Sequence, residues 1–118
     1  MENNKLLEEI LSEFLQKTLE RRIPWTLINP NAVRWTKQSP PQVTIVTLQK
    51  QITTISSSPT TLRENIVLTI QNPQATIIQI NSSTEPSLKD LLSNLFKEAM
   101  ISANDKTIET LRSLLKDL

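Results

Sequence analysis

The chain has 118 residues, a formal net charge of +1 and no cysteine, histidine, glycine or tyrosine. The absence of cysteine and histidine excludes a disulfide, a Ser-His or Cys-His nucleophile, and any transition-metal site that is not built on carboxylates. The absence of glycine excludes the usual phosphate-binding loops. The composition predicts one globular domain over residues 1–118 that works without a cofactor.

The first predicted element is an amphipathic helix over residues 4–20. Its apolar side chains recur at three- and four-residue spacings with glutamates between them, which is the pattern of a helix with one buried face. The opening letters, MENNKLLEEI, have neither the basic flank nor the apolar run of a signal peptide. The sequence therefore predicts a cytoplasmic protein that does not bind membranes.

Four or five antiparallel strands are predicted within residues 24–82, where threonine, isoleucine, valine and glutamine dominate. Two similar segments, Asn29-Pro30-Asn31-Ala32 and Asn72-Pro73-Gln74-Ala75, each have the Asn-Pro start of a type I turn, so each is expected to close a hairpin. Between them, QVTIVTLQKQITTI loses its alternation near residues 49–51, which predicts a bulge or two separate strands. The segment SSSPTTLREN is expected to be a surface loop.

Two helices are predicted after the sheet, over residues 87–101 and 104–117, with Ser87 as the first N-cap and a break at the letters SAND. Two adjacent helices form an αα-hairpin. The expected fold is therefore α+β, with an N-terminal helix, an antiparallel sheet and a C-terminal αα-hairpin packed on one sheet face.

Charge is distributed unevenly along the chain. Residues 21–63 carry six bases and no acid, and they include both tryptophans. Cations that follow phosphates and rings that stack on bases are the means of binding single-stranded nucleic acid. The candidate residues for an anionic partner are Arg21, Arg22, Trp25, Arg34, Trp35, Lys37, Lys50 and Arg63. The same pattern is also explained by an ordinary density of basic residues on the surface and by two tryptophans that are buried in the core. For the tryptophans, burial in the core is the favoured interpretation.

The leucine-rich helices support a different hypothesis. Their apolar stripes suit docking to another helix, although covering the protein's own core is the commoner role of such stripes. The candidate interface residues are Leu7, Ile10, Phe14, Leu111 and Leu115. Three stripes against one small sheet is a surplus that a homodimer interface would use.

Enzymatic activity is not expected. The available acids include Glu64, isolated at a strand entrance, and three aspartates in helix-cap, first-turn or solvent-facing positions: Asp90, Asp105 and Asp117. A pairing of Ser57 with Lys50 has no support in the spacing of the two residues.

One resemblance concerns the second half of the chain. The hydrophobic pattern of LTIQNPQATIIQI followed by SLKDLLSNLFKEAM resembles the hairpin and following helix of the YbaB-type nucleoid-associated proteins. The chain lacks the glycine and methionine abundance of that family, and its cationic strand region is longer. The resemblance implies nucleic-acid binding, which is the alternative to the first expectation, a non-enzymatic protein-binding or adaptor module that forms homodimers.

Overall fold

A computed structural model describes residues 2–39 and 42–118. It shows an α+β fold. Along the chain, an N-terminal helix comes first, then the five strands of an antiparallel sheet, then a C-terminal helix. The elements are α1 (Glu2–Leu19), β1 (Thr26–Asn29), β2 (Ala32–Ser39), β3 (Gln42–Ser57), β4 (Thr60–Asn72), β5 (Ala75–Asn81), a 3₁₀ turn (Pro86–Leu88) and α2 (Lys89–Lys116).

The sheet is a meander in which each strand pairs with its neighbour in sequence. Both predicted Asn-Pro turns are confirmed, since they join β1 to β2 and β4 to β5. In the first turn the Asn29 side chain accepts a hydrogen bond from the Asn31 amide at 2.8 Å. In the second, Asn72 Oδ1 accepts from the Gln74 and Ala75 amides at 2.9 and 3.0 Å. These side-chain bonds reverse the chain without glycine.

The prediction of an interruption near residues 49–51 is wrong. β3 pairs with β4 without a register shift from Ile45 to Thr54, and the irregularity lies between Thr54 and Ser56. The apolar alternation fades because β3 extends past its helix cover beyond Lys50, and residues 51–55 are exposed. The expected SSSPTTLREN loop is also wrong, because β4 already begins at Thr60 and only a short turn separates the strands.

The predicted αα-hairpin, with helices over 87–101 and 104–117, is replaced by one continuous helix, α2. Nothing in the SAND segment forces a break, because Ala103 is buried against the core and Asp105 bonds to Arg21. The hydroxyl of Thr107 donates to the Ala103 carbonyl within the helix at 3.0 Å. Ser87 is not an N-cap, since it lies in the 3₁₀ turn and no side chain caps α2.

Both helices contribute to one core on the same face of the sheet. Phe14 of α1 contacts Trp35, and the Lys50 ammonium lies over the Phe96 ring of α2. Trp35 pairs with Val46, which is four residues from Lys50 on β3, so both side chains project from the same face. Fully buried members of this core include Leu11, Trp25, Val33, Leu48, Leu68, Leu88, Leu92, Leu95 and Ala99.

Parts of the molecule extend away from this core. The Cα radius of gyration is 16.2 Å, whereas a compact domain of this length has a radius of about 13.5 Å. Exposed residues lie at the far end of the β3–β4 hairpin, and every residue of the chain from 104 to 118 is exposed. The second half of α2 is therefore largely uncovered.

Candidate functional site

The two tryptophans have different environments. Trp25 is 0% exposed, and its indole N–H donates to the Thr18 hydroxyl at 3.0 Å. Trp35 is half-buried and lies edge to face against both Trp25 and Phe14, with ring centroids 6.4 Å apart in each pair. The interpretation of the tryptophans as core residues is confirmed for Trp25, whose buried ring offers no face to a ligand.

Trp35 lines an open groove of about 350 Å³ between α1, β2 and the segment that follows α1. Ile10, Phe14 and Ile23 make the groove apolar. Two cations, Lys17 and Arg22, and one acid, Glu13, also line it. Of the eight candidates for binding an anion, Arg22 and Trp35 are brought together at this groove.

Among the residues that the structure describes, three bases of the segment 21–63 form ion pairs. Arg21 Nη2 contacts Asp105 Oδ2 at 3.1 Å, Arg22 Nε contacts Glu20 Oε1 at 2.9 Å, and Lys50 Nζ contacts Glu64 Oε1 at 3.6 Å. Acids from outside the cationic segment therefore partly neutralise it. The hydrogen bond from Gln16 and the nearby Arg22 lower the pKa of Glu20, which keeps this acid charged beside Arg22.

The remaining cations lie on different sides of the sheet. Arg34 pairs with Thr47, and Arg63 pairs with Thr53. By strand alternation these arginines project from the face opposite the helices, whereas Lys37 and Lys50 share the helix-covered side with Trp35. The register therefore separates the candidate cations into two groups.

The candidate helix interface is also divided. Leu7 and Phe14 are partly buried against the protein's own core, and Ile10 lines the groove beside Trp35. Leu111 and Leu115 of α2 are instead 55% and 66% exposed. They belong to a longer row of exposed apolar residues, named here the α2 stripe: Ile101, Ile108, Leu111, Leu114, Leu115 and Leu118.

Most of the α2 stripe does not continue the face that α2 turns to its own core; the exception is Leu114, which lies about 20° around the helix axis from Ala103. Leu92, Leu95, Ala99 and Ala103 define that buried face. At about 100° per residue, Ile108, Leu111 and Leu115 lie roughly 120–180° around the helix axis from Ala99. Exposure within the stripe rises from 39% at Ile101 to 98% at Leu118. α2 therefore has two apolar faces, of which the second begins where contact with the sheet ends.

The placement of the acids adds nothing to an enzymatic interpretation. Glu64 and Asp105 are held in the ion pairs described above, Asp90 lies in the first turn of α2, and Asp117 follows its last turn. Within residues 2–39 and 42–118, no group of three or more acidic side chains is placed to hold a metal ion. No helix in this part of the chain is long and apolar enough to cross a membrane.

Comparisons with protein families, characterised proteins and solved structures find no significant match to this chain. The pattern resemblance to the YbaB-type proteins gains no support from them.

Sequence reasoning grouped Ile108, Leu114 and Leu118 with the last helix but did not include them in the candidate interface. It also placed a helix break between Ile101 and the rest of the stripe. A signal for the missing residues was present, because Ile101 and Ile108 are seven residues apart, which keeps them on one helix face across the expected break.

Proposed function

We propose that this protein is a non-enzymatic assembly or adaptor module that forms a homodimer through the α2 stripe. The observation that carries this proposal is the second apolar face of α2, which the described part of the chain leaves open to water. A helix that covers only its own sheet needs one apolar face, and large contiguous apolar patches on a surface are typical of interaction sites.

The size of the α2 stripe suits a dimer. The exposed fractions of its six side chains correspond to roughly 600 Å² of surface per chain, or about 1,200 Å² for two copies, which lies at the lower end of the range for specific protein interfaces. In a monomer this surface stays hydrated. Two-fold pairing removes it from water and supplies the main favourable free energy of association.

Sedimentation velocity on the purified chain tests the proposal. We expect a dimer whose mass is nearly unchanged between low and high salt, since apolar contacts are not screened. Leu111→Asn should shift the equilibrium to monomer. Leu19→Asn is the matched control, because Leu19 is also on a helix and is 51% exposed. A wild-type monomer at all concentrations, or equal loss of dimer in both variants, contradicts the proposal.

The alternative function, nucleic-acid binding through residues 21–63, is tested in the same runs with a labelled single-stranded oligonucleotide. Phosphate contacts predict co-sedimentation at low salt and release at high salt. Arg34 and Lys37 project from opposite faces of the sheet, so the double variant Arg34→Glu/Lys37→Glu reverses one cation on each face; it should weaken that complex and leave the dimer intact. Retention of the oligonucleotide by the double variant removes both residues from a nucleic-acid site.

A further inference from the structure

We infer that the two α2 helices of the proposed homodimer pair antiparallel, with Asp105 of each copy facing Arg112 of the other. The inference rests on the proposed function and adds the orientation and register of the interface. It starts from spacing: Ile101, Asn104, Ile108, Leu111, Leu115 and Leu118 follow one another at intervals of three, four, three, four and three residues. From Ile101 to Leu115 this is the a/d repeat of a helix that packs along another helix; α2 ends at Lys116, so Leu118 lies just past the helical part of the repeat.

An antiparallel pair places a positions opposite d positions. The alignment with most overlap sets Ile108 against Leu111, Asn104 against Leu115, and Ile101 against Leu118 of the second copy, in both directions. Both helices are present over residues 103–116 in this register, because α2 ends at Lys116, and this overlap is about 20 Å long at 1.5 Å per residue.

Charge selects this orientation. With Ile101, Ile108 and Leu115 at a positions, both Asp105 and Arg112 are at e positions. In the antiparallel register these e positions face each other, which gives two identical ion pairs across the two-fold axis. Arg21 of the same chain contacts only Oδ2 of Asp105, and a carboxylate accepts further donors. In a parallel pair Arg112 faces Thr107 of the other copy instead, with no charge partner, and two Asn104 side chains meet in the apolar seam.

A groove in the structure also fits the antiparallel pair. Ile101 and Asn104 border an open groove of about 410 Å³ between α2 and the β3–β4 hairpin, which Ile66, Phe96 and Met100 also line. The proposed register brings Leu115 and Leu118 of the second copy to this position. There Leu118, the most exposed residue of the α2 stripe, lies near the apolar residues of the groove and near its charged residues Lys50, Glu64 and Lys97.

Cysteine cross-linking tests the orientation without background, since the chain has no cysteine. The full-length variants Leu115→Cys and Asn104→Cys are mixed, allowed to exchange subunits and oxidised with oxidised glutathione. The antiparallel register predicts a disulfide between the two variants. It predicts none within either variant alone, because identical positions lie about 16 Å apart along the axis, beyond disulfide reach.

The outcomes separate this inference from the proposed function. A Leu115→Cys disulfide with itself means parallel pairing and overturns the inference while the dimer stands. A wild-type dimer that forms neither disulfide overturns the proposed register, and the Leu111→Asn result then decides whether the α2 stripe is the interface. A wild-type monomer in sedimentation removes the proposed function, and the inference with it.

Charge reversal gives a second readout. Arg112→Asp should raise the dimer dissociation constant about tenfold, because two attractions across the interface become repulsions. Lys116→Asp is the matched control, because it makes the same charge change at a position that does not face the second helix. It should alter the dimer dissociation constant less than twofold. Equal effects of the two substitutions contradict the Asp105–Arg112 pairing.

Discussion

Replacing Thr18 with valine should destabilise the protein by leaving the Trp25 indole N–H without a partner. The Thr18 hydroxyl donates to the Phe14 carbonyl at 2.8 Å and accepts from Trp25 Nε1 at 3.0 Å. Both residues are fully buried, so water cannot replace the lost oxygen. Valine has nearly the same shape and creates little cavity. The loss is therefore mainly the cost of an unsatisfied buried donor, about 1–3 kcal/mol.

The assay is urea unfolding followed by tryptophan fluorescence at one fixed protein concentration, which holds any contribution from self-association constant. A loss of about 2 kcal/mol corresponds to a lowering of Tm by roughly 6–12 °C. The matched comparison is the same substitution in a Trp25→Phe background, where no indole N–H remains and Thr18→Val should cost little. An equal cost in both backgrounds refutes the assignment of the loss to this hydrogen bond.

Three further predictions concern the β4–β5 turn, one buried hydroxyl and one carboxylate. Asn72→Ala removes both side-chain bonds of the β4–β5 turn and should lower the urea-unfolding free energy by about 1 kcal/mol. Ser82→Ala leaves the buried Ile66 amide without its acceptor, which lies at 2.9 Å; this should cost about 1–3 kcal/mol and speed hydrogen exchange at that amide. Gln16→Ala should raise the pKa of Glu20 in an NMR titration, because it removes the hydrogen bond that lowers this pKa. The lowered pKa stabilises the folded state at pH values above the ordinary glutamate pKa. This stabilisation is lost as the pH falls through the pKa of Glu20 in the folded protein.

Local physical chemistry made the turns and the first helix predictable. Asn29 and Asn72 act through bonds to amides two or three residues away, so their role is contained in a short stretch of sequence. The α1 stripe likewise identified a helix whose observed bounds are Glu2–Leu19. In each case the residues that decide the structure are neighbours in the chain.

The errors arose where distant residues decide. The polar letters at Asn104 and Asp105 look like a loop, yet the helix continues there, and Arg21 from another part of the chain binds Asp105. The acid-free segment looked like one cationic surface. Strand register instead separates Arg34 from Lys50, and Glu64 pairs with Lys50 from the neighbouring strand. A linear charge pattern does not report such cross-strand partners.

The relation between the two faces of α2 explains why the candidate interface was only partly predictable. A sequence stripe shows that a helix face is apolar but not which surface covers it. The buried face that includes Ala99 and Ala103 is covered by this chain, while Leu111 and Leu115 point about a third to a half of a turn away from it. No straightening or bending of a single helix brings both faces onto one sheet. In the proposed homodimer the second face is covered by the α2 helix of the other copy, and Asp105 and Arg112, which lie on either side of the centre of this face, pair across the two-fold axis.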